Sequence, residues 1–502
     1  MNSAPIYLDY AATTPVDPQV ARAMAECLTQ SGDFGNASSL HGYGVAAAAR
    51  IERARAEVAA LIGAHPEEIV FTSGATESNN LAILGAARAG RQRGRHLVSV
   101  RTEHKSVLDP CKQLEKEGAS VTWLTPTRSG RIEPAALAAA LRPDTVLVSV
   151  MYANNETGVL EDLGTIAELC GARAIPLHSD CSQAVGKVAL AVSELGAAFV
   201  SFTAHKLYGP KGIGALYVRS GARALLQPLA YGGGQERALR PGTLANHQVV
   251  GFGAACALAA RELPAEAARI GHLRERLWAG LEALGGVHLN GSAPRVPGIL
   301  NVSFEGVHGE SLVAALEGLA ISTGAACNSS ASEPSYVLRA LGRDSQLAQA
   351  SLRFSVGRFS GAQDIERAVE LVRGALERLR ALSPADGARE PLDSWGAGTG
   401  ARLVAGEAGG PGQETWVRFE LLVADDTVKD ARFWAFACPH TTAVAATLCS
   451  ELKGRTRALL IPGAPADWAV AGGVPVEKLG RLLVVEDALR ACLSQWPEGA
   501  RI

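Results

Sequence analysis

Between Glu68 and Val218, short β-branched runs alternate with helical patterning, and this alternation limits the architecture more than any other feature of the chain. EIVFTS (Glu68–Ser73) leads into ESNNLAILGAARAG, HLVSV (His96–Val100) into HKSVLDPCKQLEKEG, and TVLVSVM (Thr145–Met151) into LGTIAELCGARA. IPLHSD (Ile175–Asp180), AAFVSF (Ala197–Phe202) and IGALYV (Ile213–Val218) follow. A strand–helix–strand order of this kind predicts an α/β fold, a mostly parallel sheet with helices on both faces. Ligands of such sheets sit beyond the carboxyl ends of the strands, so the residues just after each strand are the first candidates for a site.

From about Gln248 to Leu382 helical patterning rises around one alternating run, GILNVSFEGV (Gly298–Val307). A small α+β subdomain sharing the N-terminal segment is expected there. Ser383–Glu414 is rich in Gly, Pro and Ala and reads as a linker. TWVRFELLVADDTVKDARFWAFA then reads as a hairpin turning at ADDT, with helical TTAVAATLCSELKG and EDALRACLSQW after it. The expected organisation is a large domain over about 16–247, a small subdomain from about 1–15 and 248–382, a linker over 383–405, and a separate α+β domain over 406–502.

The bulk numbers exclude several function classes. Hydrophobic content of 47% and charged content of 20% suit a soluble globular protein. A net charge of −2 argues against a DNA-binding or membrane-binding basic surface. The densest basic run, RQRGRH (Arg91–His96), reads as a solvated helix end and loop. No apolar run is long enough for a transmembrane helix, and MNSAPIYLDYAATTP lacks the basic-then-apolar order of a signal peptide. Nine cysteines without a CxxC pair point to reduced thiols and a cytoplasmic location.

Four clusters fall at strand ends. Gly74-Ala75-Thr76 open a strand-to-helix turn, where small residues free backbone N–H groups for an anion. His104 in TEHK supplies a flat ring. Asp180 ends an apolar strand, where a buried carboxylate needs a cation or donors. His205 and Lys206 in TAHK follow another strand. A lysine amine can form a Schiff base with an aldehyde cofactor, a buried carboxylate can keep a pyridine nitrogen protonated, and a helix N-terminus can hold a phosphate. The cofactor that this set describes is pyridoxal 5′-phosphate (PLP).

The motifs LDYAATTP, FTSGATESNN, TEHKSVLDPC, NNETGV, HSDCSQAVGK, HKLYGPKGIGALYVR, GGGQERALRPGT and EPSYVLRALG closely resemble those of cysteine desulfurases, over about Ile6 to Leu382. These are PLP enzymes of fold type I and aminotransferase class V. The resemblance implies a mixed, mostly parallel seven-stranded sheet and conversion of L-cysteine to L-alanine with a persulfide on the enzyme. It implies that Lys206 makes the covalent link to PLP, that His104 stacks on the ring and assists acid–base steps, and that Asp180 pairs with the pyridine nitrogen. Asn155 and Gln183 would reach the ring hydroxyl, and Ala75, Thr76, Thr203 and His205 the phosphate. Thr243 would reach the phosphate of a neighbouring subunit, implying a homodimer, and Arg353 would hold the substrate carboxylate. The nucleophile would be Cys327, in STGAACNSSASEPSYVL. The sulfur would pass to an iron–sulfur scaffold or another acceptor protein. Ala204 and Cys181 stand where the family often has glycine and alanine. A selenocysteine lyase, another class V lyase, or a non-catalytic assembly subunit are the alternatives.

Lys429–Thr456 and VEDALRACLSQW resemble the iron–sulfur scaffold family, which uses three cysteines with an aspartate and a histidine. Only the middle cysteine is matched, by Cys438; Arg481 takes the place of the third and Gly480 that of the histidine. One cysteine cannot assemble a cluster or zinc site by itself, so no metal is expected. The resemblance leaves Cys438 either a tethered persulfide acceptor or a packed thiol in a docking module.

Overall fold

The computed structural model describes residues 4–292, 294–323, 334–382, 401–410 and 413–496. Cys327 and residues 383–400 of the expected linker lie outside them. A two-residue strand, β1 (Ile6–Tyr7), opens the chain. The large sheet follows as β2 (Ile69–Thr72), β3 (His96–Val100), β4 (Ser120–Leu124), β5 (Thr145–Ser149), β6 (Leu177–Asp180), β7 (Phe199–Thr203) and β8 (Gly214–Val218), in the order β2-β8-β7-β6-β5-β3-β4. The neighbours from β4 to β7 run parallel, and β8 pairs antiparallel with both β7 and β2. It is the seven-stranded, mostly parallel sheet expected of a fold-type I enzyme.

Alternation along each strand divides two cores between the faces of this sheet. Val98, Val148, Val200 and Phe202 pack with Val249, Phe252 and Cys256 of the long helix Asn246–Glu282. Leu97, Leu147, Phe199 and Leu216 face Leu81 and Ile83 of the helix Ala75–Ala89 and Val107 and Leu114 of the helix Lys105–Lys116. Both faces are covered, as the near-continuous apolar character of the parallel strands requires. The sequence reading put all of Arg91–His96 on the surface; His96 is instead buried at the start of β3, where its ring nitrogens meet Thr145 Oγ1 at 2.7 Å and Thr122 Oγ1 at 2.9 Å.

The second sheet holds β9 (Val287–Leu289), β10 (Ile299–Phe304), β12 (Ser322–Thr323) and β13 (Ser351–Ser355), all antiparallel, while β11 (Leu319–Ala320) pairs with β1. Its core joins Leu300, Val302 and Phe354 to Leu273 and Leu277 of the long helix and Val372 and Leu376 of the helix Ala362–Leu382. One helix thus serves both cores and fixes one sheet relative to the other.

The C-terminal sheet is the antiparallel meander β14 (Arg402–Gly410), β15 (Thr415–Ala424) and β16 (Thr427–Phe436), backed by the helices Pro439–Glu451 and Gly480–Ser494. The hairpin turning at ADDT is β15–β16. The linker reading ran too far: residues 402–405 are strand. Gly406 reads as a flexible position but is a packing one. A Cβ there would come within 2.3 Å of Cys492 N and 2.4 Å of Ala488 O, so glycine is what lets the last helix lie close on the sheet.

This domain docks on the small subdomain. Ser311 Oγ donates to the Ala437 carbonyl at 2.6 Å, Lys478 Nζ meets Glu310 Oε2 at 2.6 Å, and the His308 ring stands edge-on to Phe436 at 5.6 Å.

Candidate active site

The carboxyl ends of β2, β6 and β7 open into a cleft that reaches to Arg353 on β13. Its lining includes Ala75, Thr76, His104, Asn155, Asp180, Gln183, Thr203, His205, Lys206 and Arg353, so the structure brings together all but three of the predicted site residues. Thr243 is exposed ahead of the long helix and does not line this cleft. Cys438 is fully buried in the C-terminal domain, with its sulfur 3.2 Å from Thr441 Oγ1. Cys327 is the third and is not among the described residues.

One end of the cleft suits an anion. The helix Ala75–Ala89 begins at Gly74, at φ 153°, with no side chain capping its first turn. Its first residues, Ala75 and Thr76, line the cleft together with Thr203 and His205, and the unpaired N–H groups of a helix's first turn favour an anion. Gly214 makes room for this turn, since a Cβ there would lie 2.7 Å from Gly74 Cα. His205 Nδ1 lies 3.1 Å from Thr13 Oγ1, and burial, with Lys206, Lys211 and Lys187 acting the same way, lowers its pKa to about 4. At neutral pH the ring is therefore uncharged.

The floor is a connected network. Asp180 accepts from Asn79 Nδ2 at 2.8 Å, Ser182 N at 2.9 Å and Ser182 Oγ at 2.6 Å. Asn79 Nδ2 also donates to Ser106 Oγ at 2.9 Å, which lies 2.8 Å from His104 Nδ1. The same Nδ1 accepts the Ser106 backbone N–H at 3.2 Å and so carries no proton. The hydroxyl must then donate to Nδ1, which leaves the hydrogen of the neutral ring on Nε2. Burial lowers the His104 pKa and favours this uncharged form. Sequence reasoning missed Asn79 and Ser106. The available signal was a polar residue on the buried face of an amphipathic helix.

At the other end, Lys206 Nζ donates to the carbonyls of Ala11 and Ala12 at 2.6 and 2.7 Å. Arg353 donates through Nη1 to the Asn155 carbonyl at 2.8 Å and through Nη2 to Asp9 Oδ1 at 2.9 Å. Gln183 donates through Nε2 to the Ala11 carbonyl at 2.8 Å. The donor set fits PLP: an uncapped helix terminus for a phosphate, a carboxylate at the floor for a pyridine nitrogen, and a lysine for the aldehyde. Asn155 Oδ1 is buried in the cleft without a hydrogen-bond partner among the described residues, as expected of a group kept for a ligand.

A model of the aminotransferase class-V family matches residues 6–368. The cysteine desulfurase IscS of Pectobacterium atrosepticum is 53% identical over 382 residues, 76% of this chain and 95% of its own length. The chain belongs to the cysteine desulfurases. Solved structures agree: a NifS-like protein superposes with a TM-score of 0.70 at 33% identity, covering 75% of this desulfurase and all of that chain. DndA from Streptomyces lividans gives a TM-score of 0.60 at 41% identity, over 71% of this chain and 98% of its own. SspA in complex with cysteine gives 0.64 at 36% identity, over 71% and 99%. The desulfurase is accordingly a PLP-dependent enzyme. Its C-terminal domain lies outside the family match. Among the described residues no helix is long and apolar enough to cross a membrane.

Proposed function

We propose that this desulfurase takes L-cysteine, releases L-alanine and carries the sulfur as a persulfide on Cys327, as a cytoplasmic homodimer in which Thr243 completes the partner's phosphate site. The observation that carries this reading is the meeting of Lys206, Asp180, His104 and Arg353 in one cleft. PLP, when bound, supplies an electron sink for negative charge developing on the substrate carbon. Lys206 would link to it, Ala75, Thr76, Thr203 and His205 would hold its phosphate, and Asn155, Asp180 and Gln183 would bind its ring.

The Arg353 guanidinium, held by Asp9 and the Asn155 carbonyl, presents a fork to the substrate carboxylate. His104 Nε2–H and the Lys206 amine are the groups placed to move protons. The Cys327 thiolate takes the substrate sulfur: an S–S bond forms, the C–S bond breaks with its electron pair left on carbon, and a proton completes alanine. Alanine release from L-cysteine tests the reading. Wild type should turn over, Lys206→Ala should not, and Cys327→Ser should make no more than trace alanine. Equal turnover by Cys327→Ser would refute the assignment.

For the scaffold-like C-terminal domain the docking reading is favoured over the relay. Cys438 is fully buried and follows the residue whose carbonyl Ser311 binds. Arg481, at the position of a scaffold cysteine, pairs with Glu414 at 3.3 Å and faces Glu310 at 4.0 Å. A ligand position is thus taken by an arginine paired within its own domain on the side that faces the small subdomain. Among the described residues no group of three or more His, Cys, Asp or Glu side chains could hold a metal. The domain would steer a sulfur acceptor, an iron–sulfur scaffold or another protein, to the desulfurase.

A further inference from the structure

Behind the active-site cleft lies a small cavity between the two subdomains, lined by Tyr10, Tyr208, Glu266 and Ile299 among others. Lys187 also lines it, and nothing in the reaction uses this residue. Nζ donates to Gln183 Oε1 at 2.6 Å. The other end of that amide, Nε2, donates to the Ala11 carbonyl at 2.8 Å, and this carbonyl also accepts from Lys206 Nζ at 2.6 Å.

We propose that Lys187 is a positioning residue that locks the Gln183 side-chain amide so that its N–H, and not its carbonyl, faces the cofactor ring. This rests on the assignment of Gln183 to the ring oxygen. The two partners leave the amide little choice. Flipping it would set its oxygen against the Ala11 carbonyl, a mismatch in a buried site, and would take from Lys187 Nζ the acceptor it now binds. With Oε1 facing Lys187 and one Nε2 hydrogen given to Ala11, the second Nε2 hydrogen remains for a ligand in the cleft that Gln183 lines.

Burial drives the Lys187 amine well below the usual lysine range, and Lys206 and Arg353 push the same way. The carboxylate on the cavity wall, Glu266, is occupied by Arg358 at 2.8 and 3.0 Å, and Tyr10 and Tyr208 keep raised pKa values through burial.

The test is the pH midpoint of the visible band of the PLP-loaded enzyme, with Lys187→Met, Gln183→Leu and the double variant. An N–H on the ring oxygen draws that oxygen away from the neighbouring protonated nitrogen at Lys206, so losing it should raise the midpoint by roughly one pH unit, the scale of one neutral hydrogen bond. Lys187→Met and Gln183→Leu should each raise it, and the double variant should match Gln183→Leu alone. If Gln183→Leu moves the midpoint and Lys187→Met does not, or if the two shifts add, the Lys187 proposal is overturned. If Gln183→Leu moves nothing, both that assignment and the proposal fall. Should Lys187→Met not fold, Lys187→Leu replaces it: this variant also removes the donor to Gln183 Oε1, so it too should raise the midpoint, and an unchanged midpoint overturns the proposal.

Discussion

Glu156 lines the cleft wall next to Asn155 and is fully buried around its carboxyl, where Ser335 Oγ donates to Oε2 at 2.5 Å. Burial raises its pKa from 4.5 to about 7, against the opposing pull of Ser335 and Arg353. The folded state therefore binds this proton more tightly than the unfolded chain. Stability from this group is whole below pH 4.5, falls as pH rises, and is lost once pH passes about 7. The rise corresponds to about 3 kcal/mol. Glu161, raised to about 7 chiefly by burial, adds a second loss in the same window. Glu156→Gln keeps an acceptor for Ser335 and removes the titration. Relative to wild type it should gain about 2–3 kcal/mol between pH 5 and pH 8, seen in the PLP-loaded enzyme as a thermal midpoint several degrees higher at pH 8 and close to wild type at pH 5. A midpoint lowered equally at both pH values would mean that Glu156 is ionised in the fold, and would refute the reasoning.

Two further outcomes follow from ion pairs. Arg55 binds Glu236 through Nη1 and Nη2 at 2.9 and 2.7 Å, both residues are buried, and Glu236 also takes the Phe71 N–H at 2.7 Å just ahead of the turn at Gly74. Glu236→Ala strands the Arg55 charge and should cost about 3–5 kcal/mol by denaturant unfolding, with PLP affinity falling alongside. Glu310→Lys sets like charges against Lys478 and Arg481, so protease should cut between the subdomain and the C-terminal domain faster than in wild type while alanine release stays near normal.

The parallel strands were legible because each is apolar on both faces and ends at a turn. β4 was not, since SVTWL sits at the sheet edge with most of its residues partly exposed. β14 was hidden by composition: Gly and Ala suggest a linker, and only the close approach of the last helix explains Gly406. In the site, residues whose chemistry is unusual for a strand end, Asp180 and Lys206, stood out on their own. Asn155, Gln183 and Arg353 came from the family resemblance. Asn79, Ser106, Glu156 and Lys187 were silent, because their roles lie in contacts between segments far apart in the chain.

The most direct measurement is peptide mass spectrometry of the PLP-loaded protein after a brief exposure to L-cysteine. The account predicts an added sulfur on Cys327 and none on Cys438, whose thiol is buried against Thr441. Alanine formed with no persulfide on Cys327 would contradict it.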